Sequence, residues 1–557
     1  MPESFTEEEK KILRPFVSNV DKPVFVLRNL PEVIKGALFS RYSRSQKSLR
    51  RLLLDEFIKD KETGFSEMVQ HQEKEGIDLK EAVQKAQAFY DRVLDGYGDD
   101  SVGELGGAHL ACENISNYAS KVLEDARIGG SPLEKSTRYV WFDEKQDGDY
   151  LFYKEPVLMA SEFKDTYLRI NRLLFDTYVK LIDPMKAFVT KHFPLEEFPF
   201  FDAAAKKEMP FKEIKDGKVR ARAEKGYASA VKAKACDILR HLLPASTLTN
   251  VGIFGNGRFF QGLLTKMYSH PVAEIQALAA QIHHELDHLI PSFVRRAKKD
   301  GFLVKKRGAI EKIRDEMIPA NGIQPAKEVT LVDYDKDEAT ALAAMLYPYT
   351  KLSLLQLRAK IKAMSSEECF RIMQTYLDGR SHRRDKPGRA LEHIYYTFDI
   401  LADFGIYRDL QRHRVLTQER QDLTVIHGYV TPQEIIDAGF NKEYSHAMNE
   451  AINAYREIAE KYPKEAQYVV PMAFRIRWYM KMNLREAFHF IELRSIAQGH
   501  PGYRKVAQEM YQEIKRVHPA FAAYMKFVDL NEYPLGRIQA AVRQEEKREE
   551  LLQNRKK

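Results

Sequence analysis

The chain has 557 residues, 44% hydrophobic and 30% charged, which is the composition of an ordinary globular protein, long enough for two large domains. A formal net charge of +8 is too small for a generic nucleic-acid binder, although 88 Lys and Arg can still gather in a cleft that receives phosphates. Three cysteines, Cys112, Cys236 and Cys369, are too few for a disulfide framework or a cysteine-based zinc site. The acidic N-terminus and the lack of any long apolar run predict no signal peptide, no membrane span and a cytoplasmic location.

Helical apolar spacing begins at residues 48–58, SLRRLLLDEFI. Strand-like runs follow at 136–142 (STRYVWF) and 149–153 (DYLFY), and helical spacing returns over 274–290, EIQALAAQIHHELDHLI. Residues 299–327 are charged and contain D-G, N-G and two prolines, which predicts a linker. Beyond it, LTVIHGYV (423–430) reads as a short strand and EYSHAMNEAINAYREIAEKY (443–462) as a helix, and residues 541–557 form a charge-dense helical tail.

Two parts of the chain carry the same polar landmarks. The first has Glu104, Arg127, Arg240, Asn256 and Arg258; the second has Glu392, Arg414, Gln467, Asn483 and Arg485. The intervals match: 23 residues from Glu104 to Arg127 against 22 from Glu392 to Arg414, and 16 from Arg240 to Asn256 and from Gln467 to Asn483. Pro244 and Pro471 each follow four residues after the Arg or Gln, and N-x-R then opens an apolar helix in both. Such self-similarity indicates a tandem duplication, with copies at 1–298 and 328–540. In the second N-x-R helix, Leu484, Ala487, Phe488 and Ile491 form the apolar stripe, while Arg485 and His489 share another face. Asn483 and Arg494 fall at nearly the same azimuth, about 16 Å apart along the axis.

Arg412, His413 and Arg414 end a segment with apolar or semi-apolar residues at 400, 404, 407 and 411, as a helix presenting cations at its C-terminus would. Dipole complementation alone explains an isolated group of this kind. The wider text, EHIYYTFDILADFGIYRDLQRHRVLTQE, resembles the flavin-dependent thymidylate synthase family in order and spacing: an E-H-x-x-x-T-F strand, a helix, then R-H-R. The resemblance implies that Arg412, His413 and Arg414 bind FAD. It adds Glu392, Asn483, Arg485 and His489 as cofactor-binding positions, with Asn256, Arg258, Glu104 and Ser101 from the first copy.

In that family the motif continues with Ser, Asn-Glu, Ser and Arg-Tyr residues that hold the phosphate and base of dUMP. The second copy lacks the later Ser and the Arg-Tyr. The first copy has Asp125, Ala126 and Arg127 in place of R-H-R, yet supplies Glu134, Ser136, Arg138 and Tyr139 in the E-x-S-x-R-Y order. Arg240 keeps a phosphate-binding arginine that Gln467 has lost, and Arg494 keeps a terminal arginine where the first copy has Met267. These complementary losses suggest one composite site. The resemblance assigns Glu134, Ser136, Arg138, Arg240 and Arg494 to a dUMP-like pyrimidine nucleotide, with Ser136 and Arg494 catalytic. Arg494 would stabilise charge developing on the uracil.

The fold implied is α+β: two tandem copies, helix-rich with short sheets, packed as a pseudo-dimer, the chain pairing further as a homodimer that makes a pseudo-tetramer. The activity implied is methyl transfer to dUMP using FAD, methylenetetrahydrofolate and NADPH, with no resident metal and no nucleic-acid partner. Two rivals stand beside it: a degenerate, non-catalytic flavin- or nucleotide-binding homologue, and a flavoenzyme acting on another pyrimidine nucleotide. A remote alternative is a zinc metalloprotease, because His284, Glu285 and His288 match H-E-x-x-H. Pro291 follows almost at once, and a solvated polar face explains that string more simply. No Walker loop and no G-x-G-x-x-G occur.

Overall fold

The computed structural model describes residues 4–59, 103–202, 207–318, 323–324 and 326–554. Ser101 lies outside them. The strands are β1 Gly107–Ser116, β2 Gly130–Glu134, β3 Lys145–Gln146, β4 Asp149–Tyr150, β5 Pro199–Asp202, β6 Lys207–Pro210, β7 Leu248–Asn256, β8 Val329–Tyr334, β9 Tyr395–Asp403, β10 Leu416–Arg420 and β11 Arg475–Asn483. One sheet has the order β1-β7-β2 and another β10-β11-β9-β8, while β3-β4 and β5-β6 are two-stranded.

The duplication is visible in this topology. The order β9-β11-β10 repeats β1-β7-β2, with β8 added at the edge of the second sheet. β7 and β11 run into the helices Gly257–Tyr268 and Leu484–Arg494, and their last residues, Asn256 and Asn483, cap those helices by accepting from the backbone N–H of Phe259 and Glu486, 2.8 Å each. β1 and β9 likewise lead into Asn117–Asp125 and Phe404–Leu410.

Backbone hydrogen bonds around an antiparallel bridge between Pro244 and Pro471 come in matched pairs. Ala245 N donates to Val470 O, and Met472 N donates to Leu243 O; Ser246 N donates to Tyr468 O, and Ala473 N to His241 O. Farther out, Asn117 N bonds Thr247 O as Phe404 N bonds Phe474 O. Each bond is the image of its partner under exchange of the copies, so the two copies meet at these prolines about a local pseudo-twofold.

The chain divides into two compact units, one of Met1–Ile115, Ala119–Glu134 and Thr249–Gly322, the other of Ser116–Tyr118, Lys135–Leu248 and Ile323–Lys557. The first contains nearly all of the β1-β7-β2 sheet. The second contains the four-stranded sheet and the long helices Lys164–His192, Gly217–Leu239, Asn441–Ala459 and Pro501–Val517. These units cut across the sequence copies, because residues 135–248 of the first copy belong with the second. In the second unit Tyr396, Phe398 and Ile400 of β9 and Ile476, Trp478 and Met480 of β11 are buried, as are Leu484, Ala487, Phe488 and Ile491 of the following helix.

Three local readings of the sequence change. STRYVWF is a turn and not a strand: Ser136 Oγ accepts from the N–H of Arg138 at 3.2 Å and Val140 N bonds Ser136 O, a side-chain bond that competes with a ladder. LTVIHGYV is a loop with a single bridge, Tyr429 to Phe474, and bends through Gly428 at φ 68°. Within the segment read as a linker, Gly301–Met317 is an exposed helix, whose N-cap Asp300 accepts from Phe302 N at 2.8 Å. The D-G pair there starts a helix.

Candidate active site

Asp403 ends β9 and caps Phe404–Leu410, its Oδ1 accepting from Ile406 N at 2.9 Å. Arg412, His413 and Arg414 follow in the loop before β10, with Arg412 half-buried, His413 buried and Arg414 exposed. His413 is held from both sides: Nδ1 lies 2.9 Å from Glu486 Oε1, and Nε2 lies 2.9 Å from Arg494 Nε. A guanidinium only donates, so Nε2 accepts and the tautomer assigned by these bonds carries its proton on Nδ1, donated to Glu486. The cap of Asn483 on Glu486 N completes a chain from Asn483 through Glu486 and His413 to Arg494. One helix, Leu484–Arg494, thus fixes the R-H-R loop at both of its ends.

Burial pushes the Glu486 carboxyl up to about 7 and lowers the half-buried His489, whose ring lies 5.6 Å from that of His413. An unfolded chain returns Glu486 to 4.5. Between these values the folded state holds the extra proton, so this group makes stability fall as pH rises from about 4.5 to about 7 and leaves it level above. Glu486→Gln keeps an oxygen for the His413 N–H and is expected to flatten that slope. Denaturant unfolding at about pH 5 and about pH 7.5 measures it; an unchanged slope would remove Glu486 as its source.

A second cluster in the same unit joins residues of both copies. Arg138, in the turn after Ser136, donates to Asp237 through Nε at 2.8 Å and Nη2 at 3.1 Å, and through Nη1 to the Tyr503 hydroxyl at 2.9 Å. Arg537 also donates to Asp237, at 2.8 Å. The guanidiniums of Arg138 and Arg494 lie 5.2 and 5.5 Å from the Tyr503 ring centroid. Arg240, 1% exposed, donates through Nη1 to Asp409 at 3.0 Å, while its Nε and Nη2 are buried without a hydrogen-bond partner. That guanidinium packs against the helix Phe404–Leu410 where only glycine fits comfortably: a Cβ on Gly405 would stand 3.3 Å from Arg240 Nε and 3.0 Å from Asp403 Oδ1. Burial opposes charge on Asp409, but Arg240, Arg138 and Arg412 outweigh it and hold the carboxyl far below its ordinary range.

Arg138, Arg240, Arg412 and Arg494 therefore share one electrostatic neighbourhood. Asp237, Asp409, Tyr503 and Arg537 belong to it as well, and no sequence motif marked them. The other predicted residues have local partners. Ser136 Oγ braces the turn that carries Arg138. Glu134, in the first unit, is buried against Ser120 Oγ and Lys121 Nζ at 2.8 Å each. Arg485 pairs with Glu392 and Arg258 with Glu104, both at 2.8 Å, so each copy keeps the same ion pair. Where function was expected to be lost, packing has taken over: Gln467 is fully buried and accepts from Leu423 N at 2.9 Å, and Met267 is core.

His284, Glu285 and His288 are exposed; His288 caps the end of Ala273–Asp287, its Nδ1 2.8 Å from His284 O and its ring 4.8 Å from that of His284. Among the described residues they form no group of three converging ligand atoms; such a group is His413, Glu486 and His489, whose ligand-type atoms lie within 4.8 Å of one another, and His413 and Glu486 are already bonded in the chain above.

The family model described as "Thymidylate synthase complementing protein" matches residues 51–292 and 330–520. A UPF0159 protein of Chlamydia pneumoniae is 45% identical over 552 residues, 98% of each chain. A UPF0159 protein of Thermoplasma acidophilum is 37% identical over 519 residues, 91% of this chain and 98% of that one. A flavin-dependent thymidylate synthase of Pyrococcus abyssi is 31% identical over 138 residues, 23% of this chain and 57% of that one.

Proposed function

Since the chain belongs to the thymidylate synthase complementing protein family as a tandem-duplicated member, we propose that it is a flavin-dependent thymidylate synthase with one composite site, methylating dUMP with methylenetetrahydrofolate and NADPH. The observation that carries this reading is Arg240: two guanidinium nitrogens are buried without an acceptor beside Asp409, which Arg138 and Arg412 also face. Buried donors of this kind are costly unless an acceptor arrives, and a nucleotide phosphate is the acceptor that suits clustered arginines. Arg138 and Arg240 bind the phosphate, Ser136 holds the turn that aims Arg138, and Arg494, oriented by His413, faces the base.

FAD fits the donor set around His413. Arg412 and Arg414 flank it on one loop, cations suited to a pyrophosphate, and His489 is within reach of the same imidazole. When bound, FAD supplies the hydride that turns a transferred methylene into a methyl group, with NADPH restoring the reduced cofactor. The chain's own residues bind and orient. Arg412→Ala with Arg414→Ala is expected to release FAD, whereas Arg127→Ala leaves it bound, because Arg127 lacks basic neighbours. Absorption at the oxidised-flavin bands after desalting reads both; equal loss would remove the single-site assignment.

A specific observation favours a second reading, of binding without methylation: Asp237 and Asp409 already partner Arg138 and Arg240. Formation of dTMP from dUMP, methylenetetrahydrofolate and NADPH decides between them. Bound dUMP with no product under reducing conditions would replace the synthase reading by this one.

A further inference from the structure

The helix Ile538–Asn554 and Arg537 before it lie past residue 520, where the match to the family ends. We propose that this extension supplies a positioning residue, Arg537, which holds Arg138 in place and leaves its charge available to an anionic ligand. That the anion is a nucleotide phosphate rests on the composite-site reading; the positioning of Arg138 does not.

Arg537 is buried and reaches three segments at once. Its Nη2 donates to Asp237 Oδ2 at 2.8 Å, its Nη1 to the backbone oxygen of Arg138 at 3.2 Å, and its Nε to Gln498 O at 3.2 Å. The guanidinium also lies 4.8 Å from the Tyr139 ring centroid. Arg138 is thereby fixed twice, at its side chain through the shared Asp237 and at its own carbonyl. Gln498 follows closely on Arg494, so the same fork ties the turn that carries Arg138 to the segment leaving the helix Leu484–Arg494. Charge balance adds a second effect. Alone, Asp237 would neutralise Arg138 one for one; with Arg537 on Oδ2, one carboxylate faces two buried guanidiniums, and a positive charge remains for an incoming anion.

The extension is seated so that Arg537 is delivered to this point. Its chain enters through Gly536, where a Cβ would collide with Ala497 O, so glycine lets the backbone pass close to the segment that carries Gln498. Val542 then packs on Gly226 of the helix Gly217–Leu239, where a Cβ would press on the Val542 side chain. That helix also carries Asp237, so both partners of the Arg537–Asp237 pair come from helices packed on one another. Gln539 Nε2 donates to Pro199 O at 2.6 Å, and farther along Arg222 pairs with Glu546 at 2.9 Å.

A double-mutant cycle on the full chain, read by calorimetry with dUMP, tests this. Arg537→Ala is expected to weaken binding about tenfold. In an Arg138→Ala background the same change should weaken it no further, because the group that Arg537 positions is gone. Arg537→Lys returns the charge without the fork and should recover part of the affinity; if Arg537→Ala does not fold, Arg537→Lys in both backgrounds carries the cycle. Arg222→Ala, which releases the far end of the C-terminal helix, is the structural control and should leave affinity unchanged. Hydrogen exchange gives a reading that needs no ligand: the Val140 amide, bonded to Ser136 O, should exchange faster in Arg537→Ala and at the wild-type rate in Arg222→Ala. Additive losses in the double variant, undiminished dUMP affinity in Arg537→Ala, or unchanged exchange at Val140 would overturn the proposal. A wild-type chain that binds no dUMP, with Val140 still responding to Arg537→Ala, would overturn the composite-site reading and leave the positioning of Arg138 standing, so the two ideas fail separately.

Discussion

Arg240→Ala is expected to weaken dUMP binding by about ten- to a hundredfold and to cost about 3 to 5 kcal/mol of stability. The affinity loss follows from removing a charge-assisted donor to the phosphate. The stability loss follows from what stays behind: Asp409, now without the guanidinium 3.0 Å away that keeps it charged. A carboxyl held below its unfolded value contributes stability that is fully present above that value and is lost as pH falls through the folded one. Without Arg240 the Asp409 value rises, so the variant's deficit should be large near neutral pH and shrink in acid. Arg240→Lys keeps a charge but not the planar fork and should recover part of the stability while leaving binding impaired. Gln467→Ala is the matched control, since Gln467 occupies the equivalent place in the other copy and holds only Leu423 N and Lys464 O. It should lower stability and leave dUMP affinity unchanged. Calorimetry and denaturant unfolding on the three variants check each part; wild-type affinity in Arg240→Ala would sink the phosphate assignment.

What the sequence made legible were residues that do a local job. Asn256 and Asn483 announce helix starts because an N-cap acts on the backbone two or three residues ahead, so N-x-R at equal spacing was enough to align the copies. His413 was legible only through the family pattern. Its burial between Glu486 and Arg494 depends on a helix more than 70 residues away, which no window of sequence contains. Asp237, Asp409 and Tyr503 were missed for the same reason: their meaning comes from partners on distant segments, such as Tyr503 on Arg138. STRYVWF misled because β-branched and aromatic residues imitate a strand, while Ser136 Oγ and the buried Arg138 hold it as a turn. β11, RIRWYMKMN, was hidden by its cations: the buried positions alternate along it, but the half-buried Arg475 and Arg477 and the exposed Lys481 break the apolar run.

The matched bonds about Pro244 and Pro471 give the complementary losses a physical reason. In the composite-site proposal a pseudo-twofold would generate two equivalent sites, and one set of partners suffices for one reaction. The relieved positions then drift toward packing, as Gln467 and Met267 have done with full burial. The retained arginines cannot drift in that way while they serve a ligand, and Arg240 remains buried with donors unused. Met267 and Arg494 mark the contrast most sharply, since they stand at the same place on their two N-x-R helices.

Arg494→Ala is expected to lower kcat by about a hundred- to a thousandfold while changing dUMP affinity by much less. Its Nε is committed to His413 Nε2 at 2.9 Å and its guanidinium rests over Tyr503. A group fixed from two sides before the reaction begins costs no reorganisation when negative charge appears on the uracil, and an interaction made only then lowers turnover without weakening the ground state. Arg138 and Arg240, which meet a phosphate that is charged throughout, should show the opposite pattern, with affinity falling and kcat at saturating dUMP nearly kept. The same substitution removes the donor that fixes the His413 tautomer, so the flavin content of the purified variant must be measured alongside. Arg494→Lys separates the two effects: an ammonium restores charge near the base but cannot reproduce the Nε bond while facing Tyr503, and kcat should return only in part. Steady-state kinetics with dUMP as varied substrate, paired with calorimetric affinity, reads the split. If Arg494→Ala loses affinity as steeply as turnover, Arg494 is a binding residue like the other two, and the charge on the uracil must be stabilised by another group.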